Sequence, residues 1–316
     1  MDDPFYHSRP ATQDEPTRII FDSDNTMGIP GCDIDDGLAL LFALAHAHDT
    51  ENPATIEGIC TSYGNSTLDA VDENTRAVCR ELNLAAPVFR GARDADHPDS
   101  EAAHFLVAAA QKNPGKLSLA VTGSTTNLKG AIALDKDILS RYKEVVLMGG
   151  ITQTLAFNGV IMNELNFSCD AQATYEVLDS ANRGANIVVA TSNQCLPCHF
   201  FPEDFKRELV VQGSRDGGYL YRTCAYWFDD MKTRYKLEGF CCWDVLVSAY
   251  ILCKDLFYAD TFDVALDPRL LQAGFLAQAS SGTPHARIVT PRIKNPPEFN
   301  TFIYRSWRRA LDECKR

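Results

Sequence analysis

The sequence predicts an α/β protein with an open, mostly parallel sheet and helices on both faces. Short apolar runs alternate along the chain with segments of helical periodicity, and strands that are buried on both faces have this continuous apolar character. The helical segments are long enough for the crossovers that join parallel strands. The chain contains no internal repeat and no Gly/Ser-rich linker, so a single domain over residues 1–316 is expected.

The elements can be placed in order along the chain. Strands are predicted at 19–21, 56–60, 87–89, 117–121, 145–148 and 187–190. Helices are predicted over 35–48, 66–82, 101–112, 125–135, 170–182 and 204–216. The stretch from about 200 to 255 is expected to be more helical, and a mixed tail follows with short apolar pieces such as 262–266.

Charge and composition exclude several classes of function. The 316 residues include 42 acidic and 30 basic side chains, a formal net charge of −12, which repels nucleic acid and anionic membrane surfaces. No apolar run reaches the roughly 18 residues of a membrane span, and the opening MDDPFYHSRP lacks the apolar region of a signal peptide. A cytoplasmic protein is therefore expected, and its 11 cysteines are interpreted as reduced thiols.

Polar residues and glycines follow most of the predicted strands. Asp22 and Asp24 lie at the end of the first strand, Asn65 follows the second, and Thr122 follows the strand at 117–121. Ligands of open α/β sheets bind at the carboxyl ends of the strands. The sequence therefore predicts one functional site along this edge.

Five carboxylates within fifteen residues are the most informative feature of that edge: Asp22, Asp24, Asp33, Asp35 and Asp36. Carboxylates in such proximity raise one another's pKa unless a cation holds them, and oxygen ligands without nearby histidine favour Ca²⁺ or Mg²⁺ over zinc. Helix capping is the alternative for Asp33, Asp35 and Asp36, which lie at the start of a predicted helix. Capping does not explain Asp22 and Asp24, so a metal site is the favoured interpretation.

One enzyme class is indicated by a short motif. The stretch 21–26 resembles the first motif of haloacid dehalogenase-like phosphatases, in which the first aspartate is a nucleophile and the second a general acid. That resemblance would give these roles to Asp22 and Asp24. Such enzymes also need a late acidic pair at a strand end, and no convincing pair is present.

A longer resemblance, over about residues 18 to 255, is to the inosine/uridine-preferring nucleoside hydrolases. It depends on motifs that occur in the family's order: Asp22-x-Asp24, Ile34-Asp35-Asp36, Gly64-Asn65, Thr122-Gly123 with Thr126-Asn127, Met148-Gly149-Gly150, Asn158 followed by Glu164-x-Asn166, and Trp243-Asp244. An Asp-x-Asp motif alone is weak, but this many motifs in register are specific.

The resemblance implies a Rossmann-like fold and Ca²⁺-dependent hydrolysis of the N-glycosidic bond of ribonucleosides to free base and ribose. It implies that Asp24 is the general base for the attacking water and that Asn65 helps to place that water and the ribose. The implied metal ligands are the side chains of Asp24, Asp36 and Asp244 and the carbonyl of Thr122, and the implied ribose ligands are Asp35, Asn158, Glu164 and Asn166. Without the resemblance, Asn158, Glu164 and Asn166 would be interpreted as an ordinary polar loop. Relatives are commonly homodimers or homotetramers, so a homo-oligomer is expected.

The spacing near the start of the chain departs from the family pattern. Ten residues, 25–34, separate Asp24 from Asp35, where the family usually has three. The insertion contains two glycines and a proline, which are typical of a turn. Asp24 lies at a strand end and is therefore the favoured match to the family's catalytic aspartate. Asp33 is the alternative match.

Trp243 stands where many members of the family carry a histidine that donates a proton to the leaving base. Tryptophan cannot supply that proton, but it stacks on a purine, and purine-preferring members have a similar Trp-Asp pair. Purine nucleosides are therefore the expected substrates. The alternative is a core-filling tryptophan beside the apolar run 245–252. Trp227 and Tyr226 are candidates for the other wall of a base pocket, although packing is the favoured interpretation for both.

Two alternatives remain. Cys195-Leu-Pro-Cys198-His199 resembles half of a zinc or redox site, but no second pair follows at suitable spacing, so buried structural thiols are expected. A non-catalytic nucleoside-binding protein is the other alternative, and the presence of the implied base and metal ligands argues against it.

Overall fold

An eight-stranded sheet forms the centre of the molecule. The structure is a computed structural model and describes residues 15–47, 49, 52–211 and 217–313. Its strands are β1 Thr17–Ser23, β2 Ala54–Thr61, β3 Val88–Phe89, β4 Leu117–Val121, β5 Glu144–Met148, β6 Ala156–Phe157, β7 Val160–Ile161, β8 Ile187–Ala190, β9 His199–Phe200, β10 Phe240–Cys241, β11 Phe257–Ala265 and β12 His285–Ile293. The order across the sheet is β11-β12-β8-β5-β4-β1-β2-β3, while β6 with β7 and β9 with β10 form small two-stranded ladders.

Neighbouring strands of the main sheet are parallel except for β11 and β12, which are antiparallel. Alternate residues of a strand point to opposite faces of a sheet. In β1, Ile19 and Phe21 enter one apolar cluster and Ile20 enters the other. Both faces of the central strands are therefore buried, and this explains why these strands appear in the sequence as uninterrupted apolar runs.

Helices cover both faces of the sheet. They are α1 Asp35–Leu44, α2 Leu68–Glu81, α3 Glu101–Lys112, α4 Thr126–Leu134, α5 Ala171–Asp179, α6 Ser192–Cys195, α7 Pro202–Lys206, α8 Gly217–Tyr235, α9 Val245–Leu252, α10 Pro268–Leu271 and α11 Pro296–Glu313. Apolar side chains of α1, α2, α8, α9 and α11 form the cluster on one face, and those of α3, α4 and α5 form the cluster on the other. The predicted fold class is confirmed.

Most predicted elements lie close to observed ones. The strands predicted at 117–121 and 187–190 and the helix predicted at 101–112 coincide with β4, β8 and α3. The helix predicted over 35–48 ends at Leu44, because the chain turns there and the carbonyl of His46 accepts a hydrogen bond from the Ala54 N–H at the start of β2. His48 lies outside the described residues.

The helix predicted over 204–216 differs from the structure. Its first part is the short α7, and a π-helical turn, Arg207–Val211, follows. Residues 212–216 lie outside the described part of the chain. The longer α8 and then α9 account for the helical character that the sequence predicts up to about residue 255.

The tail is more regular than the sequence pattern predicts. The apolar piece at 262–266 lies largely in β11, which pairs with β12 and extends the sheet. The final helix, α11, packs on the face that carries α1, where the buried Trp307 Nε1 donates a hydrogen bond to the Leu38 carbonyl at 2.9 Å. None of the helices in the described ranges is long and apolar enough to cross a membrane.

Candidate active site

The carboxyl ends of β1 and β2 bring the two residues proposed for the attacking water into direct contact. The Asn65 backbone N–H donates to Asp24 Oδ2 at 2.6 Å, and its Nδ2 donates to Asp24 Oδ1 at 3.3 Å. A Cβ at Gly64 would collide with the Asp24 carboxylate, so only glycine allows this close approach. The Asp24 carboxylate is therefore fixed in orientation by Asn65, in the loop that follows β2.

A group of buried carboxylates, here called the carboxylate floor, consists of Asp24, Asp35, Asp36 and Asp244. Asp35 and Asp36 open α1, and Asp244 immediately precedes α9. The Asp35 Oδ2 accepts hydrogen bonds from the backbone N–H groups of Trp243 at 3.1 Å and Asp244 at 3.3 Å. This contact joins the start of α1 to the start of α9, which are about two hundred residues apart in sequence.

Electrostatics make the carboxylate floor unfavourable without a cation. Burial raises the pKa of Asp24 to about 7. Burial, and then the charges of neighbouring carboxylates, raise the pKa values of Asp36 and Asp244 well above the ordinary range. Carboxylates held this close repel one another when ionised, so a bound divalent cation would stabilise the group in its ionised form.

The donor set fits a hard cation such as Ca²⁺. Carboxylate oxygens of Asp35, Asp36 and Asp244 lie within 4.8 Å of one another. Thr122 Oγ1 donates to Asp36 Oδ1 at 2.6 Å, whereas the buried Asp36 Oδ2 has no hydrogen-bond partner in the described part of the chain. Buried oxygen ligands with one unpartnered carboxylate oxygen are the arrangement that Ca²⁺ and Mg²⁺ prefer.

Asn166 and Glu164 connect the ends of β4 and β5 to the following loop. Asn166 Nδ2 donates to the carbonyls of Thr122 at 2.8 Å and Met148 at 3.1 Å. The Glu164 carboxylate accepts three backbone N–H groups, those of Gly150, Phe167 and Ser168, at 2.8 to 3.0 Å. Both side chains are largely buried and line the cavity described below.

Asn158, the other predicted ribose ligand, lies elsewhere. It occupies the turn between β6 and β7 with a positive φ of 48°. Its side chain is exposed, and Nδ2 donates to the Lys236 carbonyl at 2.6 Å. Asn158 is not among the residues that line the cavity, so this arrangement does not support direct contact with a ribose.

A cavity of about 320 Å³ opens over the carboxylate floor. Its polar lining includes Asp35, Asp244 and Asn65, the last of which holds Asp24, whereas Asp24 and Asp36 do not themselves line it. Its apolar lining includes Trp243 and one face of α8. Trp243 is only partly buried, so its ring contacts both the core and the cavity.

The α8 wall, defined as Trp227, Met231, Arg234 and Tyr235, was only partly predicted from the sequence. Trp227 lines the cavity, although packing is its favoured interpretation from the sequence alone. The other three residues were missed, but their spacing of i, i+4, i+7 and i+8 places them on one helical face. That pattern is the signal that could have identified the wall.

The inserted loop 25–34 lies against α8. Tyr226 donates its hydroxyl to the Cys32 carbonyl at 3.0 Å. Asp33 is half-buried and lines the cavity, and its Oδ1 accepts the Ile34 N–H at 2.7 Å. The structure thus places Asp24 beside Asn65 at the strand end, and Asp33 farther along the cavity wall.

The cysteines of the CxxC motif belong to the core. Cys195 and Cys198 are fully buried, and burial raises the pKa values of both thiols well above the ordinary range. Cysteines are free throughout the described ranges. The Cys195 thiol donates to the Trp243 carbonyl at 3.6 Å, so this motif contacts the backbone of the tryptophan.

Asp22, the nucleophile expected for a phosphatase, is held in the core. Its side chain is fully buried, and Oδ1 accepts a hydrogen bond from Asn127 Nδ2 at 2.8 Å. Neither Asp22 nor Asp24 lines the cavity, so the choice between a phosphatase and a nucleoside hydrolase depends on the family match below.

Comparison with known proteins agrees with this geometry. Residues 19–291 match the family described as inosine-uridine preferring nucleoside hydrolase. The chain belongs to this family. The family match supports a glycosidase rather than a phosphatase.

Similar nucleoside hydrolases differ in the bases that their names record. A probable uridine nucleosidase 2 from Oryza sativa subsp. japonica is 26% identical over 71% of this chain and 69% of its own length. The inosine-uridine preferring enzyme of Leishmania major is 29% identical over 52% of this chain and 58% of its own length. A pyrimidine-specific ribonucleoside hydrolase of Escherichia coli O157:H7 is 28% identical over 52% of this chain and 57% of its own length. The chain therefore aligns with somewhat more than half of the length of the last two relatives.

Solved structures share the fold over nearly the whole chain. A plant nucleoside hydrolase superposes with a TM-score of 0.77 at 17% identity, covering 95% of this chain and 100% of its own. A purine-preferring ribonucleoside hydrolase from Gardnerella vaginalis superposes with a TM-score of 0.77 at 19% identity, covering 93% of this chain and 99% of its own. These likenesses establish the nucleoside hydrolase fold.

Proposed function

We propose that this nucleoside hydrolase is Ca²⁺-dependent and favours purine ribonucleosides. One observation carries the proposal: a single cavity is lined both by carboxylates of the floor, Asp35 and Asp244, and by the aromatic residues Trp243 and Trp227. Polar groups that hold a sugar and flat apolar surfaces that hold a base are the two features that a nucleoside site needs.

The carboxylate floor suits the chemistry of the ribose. Cleavage of an N-ribosyl bond passes through an oxocarbenium-like state with positive charge on the ribosyl ring, and preorganised negative groups stabilise such charge. Asp24 accepts the proton of the attacking water, with its orientation fixed by Asn65. Oxygen from that water bonds to C1′, and the C1′–N bond breaks with its electron pair leaving on the base.

The cation and the ribose are assigned to neighbouring residues. Asp24, Asp36, Asp244 and the Thr122 carbonyl would hold Ca²⁺, which when bound orients the attacking water and makes it more acidic. Asp35, Glu164 and Asn166 line the cavity and are proposed to hold the ribose hydroxyls.

The base is assigned to Trp243. Its partly buried ring lines the cavity, and it offers a purine a larger stacking surface than a pyrimidine. The family includes relatives named for pyrimidine substrates, so the purine preference depends on the aromatic side of this cavity.

A panel of nucleosides assayed for free ribose tests the proposal. Inosine, guanosine, adenosine, uridine and cytidine are compared with and without a chelator. We expect the largest kcat/KM for purine nucleosides and a loss of activity after chelation. A preference for uridine would overturn only the purine assignment. Binding without ribose release would favour the non-catalytic alternative, and turnover of para-nitrophenyl phosphate instead of nucleosides would favour the phosphatase.

A further inference from the structure

Arg234 is a charged residue on the otherwise apolar and aromatic α8 wall. It lines the cavity from the penultimate position of α8, with its side chain 45% exposed. The guanidinium has no assigned part in the hydrolysis proposed above. A cation that lines the same cavity as Asp35 and Asp244 requires an explanation of its own.

Three contacts hold the guanidinium in place. Its Nη2 donates to the Gly31 carbonyl of the inserted loop at 2.8 Å and to Asp230 Oδ2 at 3.4 Å. Its central carbon lies 5.5 Å from the centre of the Trp227 ring, within the range of a cation–π contact. The side chain is therefore preorganised, so little rotamer entropy is lost when it binds a ligand.

Donors remain free for that ligand. A guanidinium carries five N–H groups in one plane. In the described part of the chain, the hydrogen bonds of the Arg234 side chain involve only Nη2. The N–H groups on Nε and Nη1 therefore remain for acceptors in the cavity. Both bidentate edges of a guanidinium include Nη2, so each of these free groups would donate a single hydrogen bond.

Purine bases differ in the group that they present at C6. A purine with a carbonyl at C6 presents two acceptors, O6 and N7. Adenine presents an N6 donor beside N7. A guanidinium N–H near C6 therefore meets an acceptor on the first kind of base and a donor on adenine.

The leaving group benefits from the same contact. When the C1′–N9 bond breaks, its electron pair remains on the base, and O6 and N7 share the resulting negative charge. A donor cation at these atoms stabilises the departing base before it takes up a proton from solvent. This contact would help to replace the proton that Trp243 cannot donate.

We infer that Arg234 is a specificity residue that selects purine nucleosides with a carbonyl at C6, inosine and guanosine, over adenosine. The inference rests on the proposed function, because it requires that the base occupies the cavity beside the α8 wall. It assigns to the inserted loop the task of positioning the guanidinium through the Gly31 carbonyl.

The test compares kcat/KM for inosine, guanosine, adenosine and para-nitrophenyl riboside in four proteins. They are the wild type, Arg234→Gln, Arg234→Lys and the control Arg222→Gln, in which Arg222 is an exposed residue of the same helix outside the cavity lining. We expect the wild type to prefer inosine and guanosine over adenosine. Arg234→Gln should lower kcat/KM for these two by about 10- to 100-fold, the range for hydrogen bonds to charged groups.

Adenosine and the nitrophenyl riboside lack the C6 carbonyl and should respond differently. For Arg234→Gln, their kcat/KM should change by less than about threefold. Arg234→Lys should recover only part of the loss, because lysine keeps the charge but lacks the planar guanidinium that the Gly31 carbonyl and the Trp227 ring hold. Arg222→Gln should behave as the wild type.

Two results would overturn the inference. An equal loss on all four substrates would show that Arg234 only supports the inserted loop, and a wild type that prefers adenosine would contradict the selection itself. Failure of the wild type to hydrolyse any nucleoside would instead overturn the proposed function, and this inference with it.

Discussion

The carboxylate floor and the α8 wall face each other across one cavity but are built in different ways. Three of the four carboxylates of the floor follow β1 within a short stretch of chain, and their backbone is held by strands and helix starts at one edge of the sheet. The α8 wall comes from a single helix far along the chain, tied to the inserted loop by side-chain contacts such as Tyr226 to Cys32. We infer that the floor determines the reaction and the wall determines the base.

This comparison leads to a simple criterion for mutations. A change in the carboxylate floor should affect every substrate alike, because all nucleosides share the ribose and the bond that is cleaved. A change in the wall should alter the ratio of activities between substrates. Each prediction below tests one side of this division, from the largest expected effect to the smallest.

The largest effect is expected at Asp24. Asp24→Asn keeps the size of the side chain but removes the base, so kcat should fall by about 10²–10⁴. Inosine, uridine and para-nitrophenyl riboside should all lose activity to a similar extent. Asp33→Asn is the matched control on the inserted loop. Full activity in Asp24→Asn together with inactivity in Asp33→Asn would show that the insertion has been aligned wrongly.

Removal of the cation should come next. Chelation should abolish turnover of every substrate and lower the melting temperature, since a ligand at 100 times its Kd stabilises the native state by about 2.7 kcal/mol. Restored Ca²⁺ should reverse both changes. A protein without bound divalent cation that keeps full activity in chelator would contradict the metal assignment.

The pH dependence of the metal-free protein offers an independent measurement. Carboxylates whose pKa is raised in the native state bind more protons there than in the unfolded state, so the free energy of unfolding should fall as pH rises. For Asp24 this window runs from about 4, the ordinary carboxyl value, to about 7. Urea titrations of the chelated protein should show this decrease, and added Ca²⁺ should remove most of it.

The two regions also differ in how far the sequence predicts them. Asp24, Asp35 and Asp36 were predicted as a cluster because they occur at a strand end and a helix start, where local patterns are strong, whereas Asp244 was predicted only through the family resemblance. The wall was largely missed, because nothing local shows which face of α8 meets the cavity. Arg234 and Met231 become functional candidates only when the fold brings α8 opposite the carboxylate floor.

The same reasoning explains the missed elements of the tail. β12 alternates between buried and exposed residues, and α11 buries Phe299, Ile303 and Trp307 at helical spacing, so local signals were present. Their partners, β8 and α1, are far away in sequence. Periodicity alone predicts the type of an element, whereas its place in the sheet depends on those distant partners.

A moderate and substrate-dependent effect is expected at Trp243. Trp243→Ala should lower kcat/KM for inosine by about 10- to 100-fold, corresponding to roughly 1–3 kcal/mol for a stacked base. The nitrophenyl riboside, whose leaving group needs no proton, should lose much less, and Trp243→Phe should recover part of the loss. The fully buried Trp307 provides the control, because Trp307→Phe should lower stability without changing the ratio between substrates. Equal losses on both substrates in Trp243→Ala would identify Trp243 as core packing.

The smallest effect is expected at Asn158, where the resemblance and the structure disagree. The resemblance predicts a ribose ligand, but the exposed amide donates to the Lys236 carbonyl outside the cavity lining.

Glycine is the informative replacement, because the positive φ of 48° would strain other side chains. We expect Asn158→Gly to change KM for inosine by less than about threefold, because the Asn158 side chain does not line the cavity that would hold the ribose. Asn166→Ala is the comparison, because it removes hydrogen bonds to two carbonyls at the strand ends and should affect all substrates more strongly. A tenfold rise in KM for Asn158→Gly with unchanged kcat would show instead that the turn between β6 and β7 closes over the bound ribose.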